Sequence, residues 1–267
     1  MKTILLAACL AAACGAAAAA ADDAAVRREL VPTGKLRVAI AVSPSASALY
    51  VVKGTDGQFH GVSVDLGAAM AKKLGVPVEY VPYLASGEIT NTATVGVWDV
   101  TFVPYDAERA KFIDFGAAYH VLQSTYLVAP GSTIKSIDQA DRPEVRVAGV
   151  ANTATYRAAQ KATPKATFIT VPGVDAAVAL MKEGKADAIG LSRESLGGLA
   201  SKIPGSRMLD GSFLNSFTAV AVPPNKPAAR DYVTAFVEEA KASGLVRRAL
   251  DSAGLTSATV AAAGAKP

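Results

Sequence analysis

Short runs of uninterrupted apolar residues, separated by helix-length segments, restrict this chain more than any other feature. Residues 35–42 (KLRVAIAV), 99–103 (DVTFV), 145–150 (VRVAGV), 186–191 (ADAIGL) and 217–222 (FTAVAV) are apolar at nearly every position. Successive side chains of a strand point to opposite faces, so a continuous apolar run is stable only where both faces are covered. That requirement calls for a mostly parallel sheet flanked by helices. Residues 76–83 (VPVEYVPY), 124–130 (STYLVAP) and 166–171 (ATFITV) read as further strands.

The intervening segments carry a helical period. In residues 62–75 (VSVDLGAAMAKKLG), Leu66, Ala69, Met70 and Leu74 share one face and Gly75 supplies the stop. Residues 227–244 open on Pro and close on Gly, the polarity that helices prefer. Residues 156–162, 174–183 and 194–202 read as helices, and 89–97 as a weak, Thr-rich one. The order βαβαβ occurs twice and argues for two α/β lobes. No internal sequence repeat is visible. The segment from Ser257 onward is small and polar and is expected to fray.

Of the 267 residues, 51% are hydrophobic and 19% charged, enough apolar material for packed cores and too much for a disordered chain. The net charge of +4 comes from scattered Lys and Arg that do not interleave with aromatics, which argues against a nucleic-acid partner. The N-terminus (MKTILLAACLAAACGAAAAAADD) has one Lys, an apolar run and Ala-x-Ala sites, the pattern of a secretory signal over residues 1–21 with cleavage after Ala21. That run is too short to span a bilayer, and no later segment is long enough. Both cysteines lie in it, with Cys14 the candidate for a lipid anchor. Periplasmic export is the expectation.

In open α/β sheets, ligands collect beyond the carboxyl ends of the strands. Those ends carry Ser43, the PYDAER run with Tyr105 and Arg109, the ANTATY run with Asn152, Thr153 and Thr155, and the SRES run with Ser192 and Arg193. Arg109 offers a planar fork suited to a carboxylate, or else lies on the surface of a short helix. Asn152–Thr155 offers free N–H groups at a helix start, or simply a cap. Ser192 and Arg193 are equally compatible with a cap and an exposed first turn. Asp106, Glu108 and Glu194 stand where caps and first turns favour acids. His60 and His120 are far apart without ligand spacing, so neither a metal nor another cofactor is expected. No phosphate loop, nucleophile elbow or His-containing triad is present, so no catalytic residue is assigned.

The pieces GKLRVAIAV, DGQFHGVSVDLGAAMAKKLGVPVEYVPY, WDVTFVPYDAERAKFIDFGAAY, RVAGVANTATY and FVEEAKASGLVRRAL follow one another over residues 34–254. In order and spacing they resemble the family 3 extracellular solute-binding proteins, the amino-acid-binding subunits of bacterial ABC importers. The resemblance implies an α/β, two-lobed periplasmic-binding-protein fold of type II. Each lobe would be a mostly parallel sheet flanked by helices, with two hinge crossovers. Lobe 1 would comprise residues 22–122 and 215–256, lobe 2 residues 123–214, with 257–267 a flexible tail.

Carried over by position, Arg109 takes the place of the arginine that clamps the ligand carboxylate. Asn152–Thr155 takes the place of the turn that donates to it from the other lobe. The sequence also departs from the family. Phe102 and Pro104 replace small hydroxyl residues, and Ala46 replaces an aromatic that Tyr50 or Tyr105 would substitute. Ser192, followed by Arg193, stands where an acid holds the ligand ammonium. An amine without an acidic partner is costly to bury, so two arginines point towards an organic acid. The implied function is capture of a small carboxylate ligand by a monomer that delivers it to an ABC permease. The alternatives are a cyclohexadienyl-dehydratase-like enzyme on the same fold, or a ligand sensor for a membrane receptor.

Overall fold

The computed structural model describes residues 23–42 and 47–267. The signal segment, Cys9, Cys14, Ser43 and Ala46 lie outside these residues. A helix over residues 23–30 (α1) leads into β1 (Leu36–Ala41). A small ribbon of β2 (Val52–Lys53) and β3 (Phe59–His60) precedes α2 (Val62–Leu74), whose left-handed Gly75 ends the helix at φ 68°. The chain then forms β4 (Val78–Tyr83), α3 (Ser86–Asn91) and β5 (Val100–Pro104). A 3-10 turn (Arg109–Lys111) follows, and then the long β6 (Asp114–Val128). Next come α4 (Ile137–Ala140), β7 (Arg146–Val150), α5 (Ala154–Ala162), β8 (Thr167–Val171) and α6 (Val174–Lys182). β9 (Ala188–Ser192), α7 (Arg193–Ala200), β10 (Arg207–Met208), β11 (Leu214–Val222), α8 (Pro227–Ala242) and α9 (Leu245–Ser252) complete it.

One continuous sheet runs in the order β4-β1-β5-β11-β6-β9-β7-β8, with β10 paired to β6. The trios β4-β1-β5 and β8-β7-β9 are each parallel internally. The two central strands are antiparallel to each other, and β6 bridges the trios by pairing with β11 up to Ser124 and with β9 from Ser124 onward. The apolar runs thus fill two cores. One gathers Leu36, Val38, Leu66, Met70, Phe102, Val233 and Leu250, and the other gathers Leu127, Val150, Met181, Ile189, Leu196 and Leu199.

The halves repeat one device. Arg37 on β1 makes a two-pronged bond to Asp99 just before β5, through Nε and its second terminal nitrogen at 2.9 and 2.7 Å. Arg146 on β7 does the same to Asp187 just before β9, at 2.9 and 2.8 Å. The backbone N–H of each arginine also donates to its carboxylate. The repeat shows in sequence only as a shared Arg-Val-Ala at 37–39 and 146–148.

Three expectations need correction. The strand expected at 124–130 begins ten residues earlier, at Asp114, because small and polar residues such as Gly116, Ala117 and His120 are buried there between neighbouring elements. The helix expected at 89–97 is α3, which begins at Ser86 and stops at Asn91. The segment from Ser257, expected to fray, docks against β6. Val121 and Ala118 donate to the carbonyls of Thr259 and Ala265, and Ala261 donates to that of Tyr119. Arg247 and Lys241 bind the carbonyls of Ala258 and Ala262.

Candidate functional site: a cavity between the two parallel trios

The carboxyl ends of β1, β5, β7 and β9 surround an interior cavity of about 70 Å³. Its wall is mainly aliphatic (Leu84, Ala85, Val150, Val174, Leu191), with the hydroxyl residues Tyr50, Ser86, Thr153, Thr155, Ser192 and Ser195. Burial pushes the Tyr50 phenol well above its ordinary range.

Arg109 is 1% exposed. Its Nε donates to Thr90 Oγ1 at 3.0 Å, one terminal nitrogen donates to the carbonyl of Pro104, and the other to Ser86 Oγ at 3.0 Å. The last also reaches the carbonyl of Asn152, across the divide, at 3.4 Å. All these acceptors are neutral, and among the described residues no carboxylate contacts the guanidinium. Burial pulls its pKa down to about 10. A buried cation served only by neutral acceptors is an incomplete electrostatic unit, and its planar fork suits a carboxylate.

Local sequence explains the scaffold. Asp106 Oδ1 accepts from the N–H groups of Glu108 and Arg109, which fixes the turn that aims the guanidinium inward. Asn152 sits in the left-handed region at φ 56°, a conformation Asn tolerates, and this carries its carbonyl to Arg109. Thr153 caps α5 through the N–H of Tyr156, and its hydroxyl lies 3.2 Å from that of Thr155. Ser192 caps α7 and lies 3.0 Å from Ser195 Oγ.

Thr153, Thr155 and Ser192 line this cavity, while Arg109 and Asn152 line a neighbouring groove tied to the cavity wall through the Arg109–Ser86 bond; three other residues are separated from them. Arg193 turns away from the cavity, binding the carbonyls of Gly211 and Leu209 at the β10 end. Phe102 packs edge-on against Tyr119 at 5.8 Å inside a core. Tyr105 packs against Phe115 at 5.1 Å, away from the cavity wall. Sequence reading missed Ser86 and Thr90, hydroxyls flanking Gly87 near the start of α3, and Ser195, three residues past the cap. The available signal was the run of hydroxyl residues directly after β4.

Residues 38–252 match the family model of the bacterial extracellular solute-binding proteins, family 3. The chain belongs to that family. Among its relatives is the ABC transporter glutamine-binding protein GlnH of Bacillus subtilis (strain 168), 23% identical over 201 residues, which are 71% of each chain. A glutamine-binding protein of Geobacillus stearothermophilus is 26% identical over 168 residues, 59% of this chain and 61% of that one. Among solved structures, an ancestral amino acid-binding protein described as a precursor of cyclohexadienyl dehydratase superposes with a TM-score of 0.74. It is 26% identical, and the match covers 84% of this chain and 97% of that one. A mutant of an arginine-binding protein from T. maritima superposes with a TM-score of 0.75 at 20% identity, over 85% and 98% of the two chains. The family 3 chain thus has the two-lobed, type II binding-protein fold.

Proposed function

We propose that this family 3 protein works outside the cytoplasm as a monomeric capture subunit. It takes up a small carboxylate-bearing solute between its lobes and delivers it to an ABC permease. In this reading residues 22–122 and 215–256 form one lobe and 123–214 the other, with β6 and β11 as the crossovers. The glutamine-binding relatives support a solute of amino-acid size. The observation that carries the reading is Arg109: a buried guanidinium with neutral partners drawn from both sides of the divide.

Ligand docks on the Arg109 lobe first. The Asn152–Thr155 turn adds its contacts only as the lobes close, and that difference in contact shifts the open–closed equilibrium. A thermal-shift screen of amino acids and organic acids identifies the solute, because a ligand that binds only the folded state raises Tm. Calorimetry on Arg109→Ala then tests the clamp. The expected loss is roughly 2–5 kcal/mol, since the anion would be buried without its partner. Unchanged affinity refutes the assignment. Incubation with prephenate tests turnover, and an unchanged ultraviolet spectrum is the expected result.

A further inference from the structure

His120 is fully buried on β6, and its side chain joins the central strand pair to a helix beyond it. Nε2 lies 3.1 Å from Oε1 of Glu194 in the first turn of α7, and Nδ1 lies 3.3 Å from Oγ1 of Thr218 on β11. An imidazole with its proton on Nε2 donates to the carboxylate and accepts from the hydroxyl, so one ring serves both neighbours. Thr218 also interacts with the phenol of Tyr50, a residue of the cavity wall.

The contact spans the point where β6 changes partners. His120 lies in the part of β6 that pairs with β11, and that pairing ends at Ser124. From Ser124 onward the strand pairs with β9, which runs directly into α7. The main chain fixes His120 on its own side of that point. It stands opposite Thr218 and bridges to Val260, and the next residue, Val121, donates to the carbonyl of Thr259. Glu194 belongs to the other side. The β11–β6 ladder also shifts register between Thr218 and Ala219 and again between Ala219 and Ala221. Such irregularities bend a strand and disrupt its ladder locally, so the two strands can flex beside His120.

The bond is poised rather than permanent. Glu194 Oε2 is buried and has no hydrogen-bond partner among the described residues, which leaves part of the carboxylate's desolvation uncompensated. Glu194 also lines an outer groove of about 670 Å³, so a small displacement of α7 from β6 returns the carboxylate to water. A buried pair with that balance adds little net stability, and its effect lies in selecting one arrangement over another. Ser192 and Ser195, which bracket Glu194, line the cavity, so the bond that sets the first turn of α7 also sets two wall residues.

We propose that His120 and Glu194 are positioning residues that latch the closed arrangement: their bond forms as the two parallel trios swing together about β6 and β11 and breaks as they part, without either side chain touching the solute. The proposal rests on the reading of β6 and β11 as crossovers. It adds that closure has a fastening built into the protein, so that closed molecules are populated before solute arrives.

Small-angle X-ray scattering of the full chain without added solute tests the latch. Wild type should be compact, with a radius of gyration near about 18 Å for 267 residues. Glu194→Ala should raise the radius of gyration and the maximum dimension while circular dichroism stays unchanged. Glu194→Gln, which keeps an acceptor for the ring, should stay at the wild-type value. His120→Ala should reproduce the expansion of Glu194→Ala, and the double variant should expand no further, because both changes remove one bond. If His120→Ala fails to fold, Glu194→Ala, at a site beside the open groove, carries the test with Glu194→Gln as its control.

A merely structural pair would lower the melting temperature and leave compactness alone. Glu194→Ala as compact as wild type therefore overturns the proposal, and so does a wild type already as expanded as the variant. Gly87→Ala separates the latch from the crossover reading. It places a Cβ 2.6 Å from Cβ of Asn152, in the turn between β7 and α5, and pushes the two trios apart whatever holds them. If Gly87→Ala expands and Glu194→Ala does not, only the latch has failed. If neither expands, the crossover reading falls with it.

Discussion

Arg157 on α5 donates from Nε to Oδ1 of Asp106 at 3.2 Å, and this ion pair joins α5 to the turn that carries Arg109. The same carboxylate accepts the backbone N–H of Arg109 at 3.0 Å, so one side chain both orients the Arg109 turn and ties it to α5. Burial by itself would raise the Asp106 carboxyl, but the bonds from Arg157 and from the Arg109 N–H outweigh it and hold the group below the usual carboxylate range. With the pKa depressed, the link is complete above about pH 4, the ordinary Asp range, and is lost as pH falls through the depressed value. X-ray scattering should therefore report the same compactness from neutral pH down to about 5, and expansion below about 4. Arg157→Ala should weaken ligand binding by about 1 kcal/mol, a partly exposed pair being worth little more. A larger pH response near neutrality would assign closure to another group.

Gly87 tests closure separately from folding. A Cβ at this position would lie 2.6 Å from Cβ of Asn152 and 3.0 Å from the carbonyl oxygens of Ala151 and Asn152, all in the turn between β7 and α5. Within α3, Ala is favoured over Gly by up to about 1 kcal/mol. Gly87→Ala should therefore leave the ligand-free melting temperature unchanged or slightly raised, while calorimetry shows affinity reduced by at least about tenfold. Unchanged binding would mean the lobes meet elsewhere when ligand is held.

The paired Arg–Asp devices differ in burial and should differ in worth. Asp99 is fully buried, whereas Arg146 and Asp187 are 40% and 33% exposed. Removing one partner of a buried pair strands the other charge, so Asp99→Ala should cost about 3–5 kcal/mol in chemical denaturation. Asp187→Ala, where water screens the survivor, should cost about 1 kcal/mol. Equal losses would contradict the account.

Deleting residues 257–267 removes the segment bonded along β6 and takes partners from Lys241 and from Glu238, which accepts the N–H of Gly264. It also uncovers an edge on β6 near the crossover. The truncated protein should melt several degrees lower, about 2–4 °C for each kcal/mol lost in a chain of this size. Thermal denaturation followed by circular dichroism measures this, and an unchanged Tm would mean the docked segment adds nothing.

Continuous apolar runs and helical periods are local properties, so the α/β order, α2 with its Gly75 stop and α8 with its Pro227 start were legible in the sequence. The sequence singled out Arg109 as a guanidinium just past a buried strand, and the structure buries it there. Other features depended on packing between segments distant in the chain. The first part of β6 carries no strand pattern of its own and is ordered by β11, α8 and the C-terminal residues. Around α7 the decisive point is rotation. Consecutive helical residues differ by about 100° in direction, and sequence cannot say which of Ser192, Arg193 and Glu194 faces inward. Contacts of Arg193 with the β10 end and of Glu194 with His120 settle it. Composition and periodicity thus determined the layers. Only the tertiary structure decided which way the neighbouring side chains of α7 face, because side-chain direction is set by packing partners that lie far away in sequence.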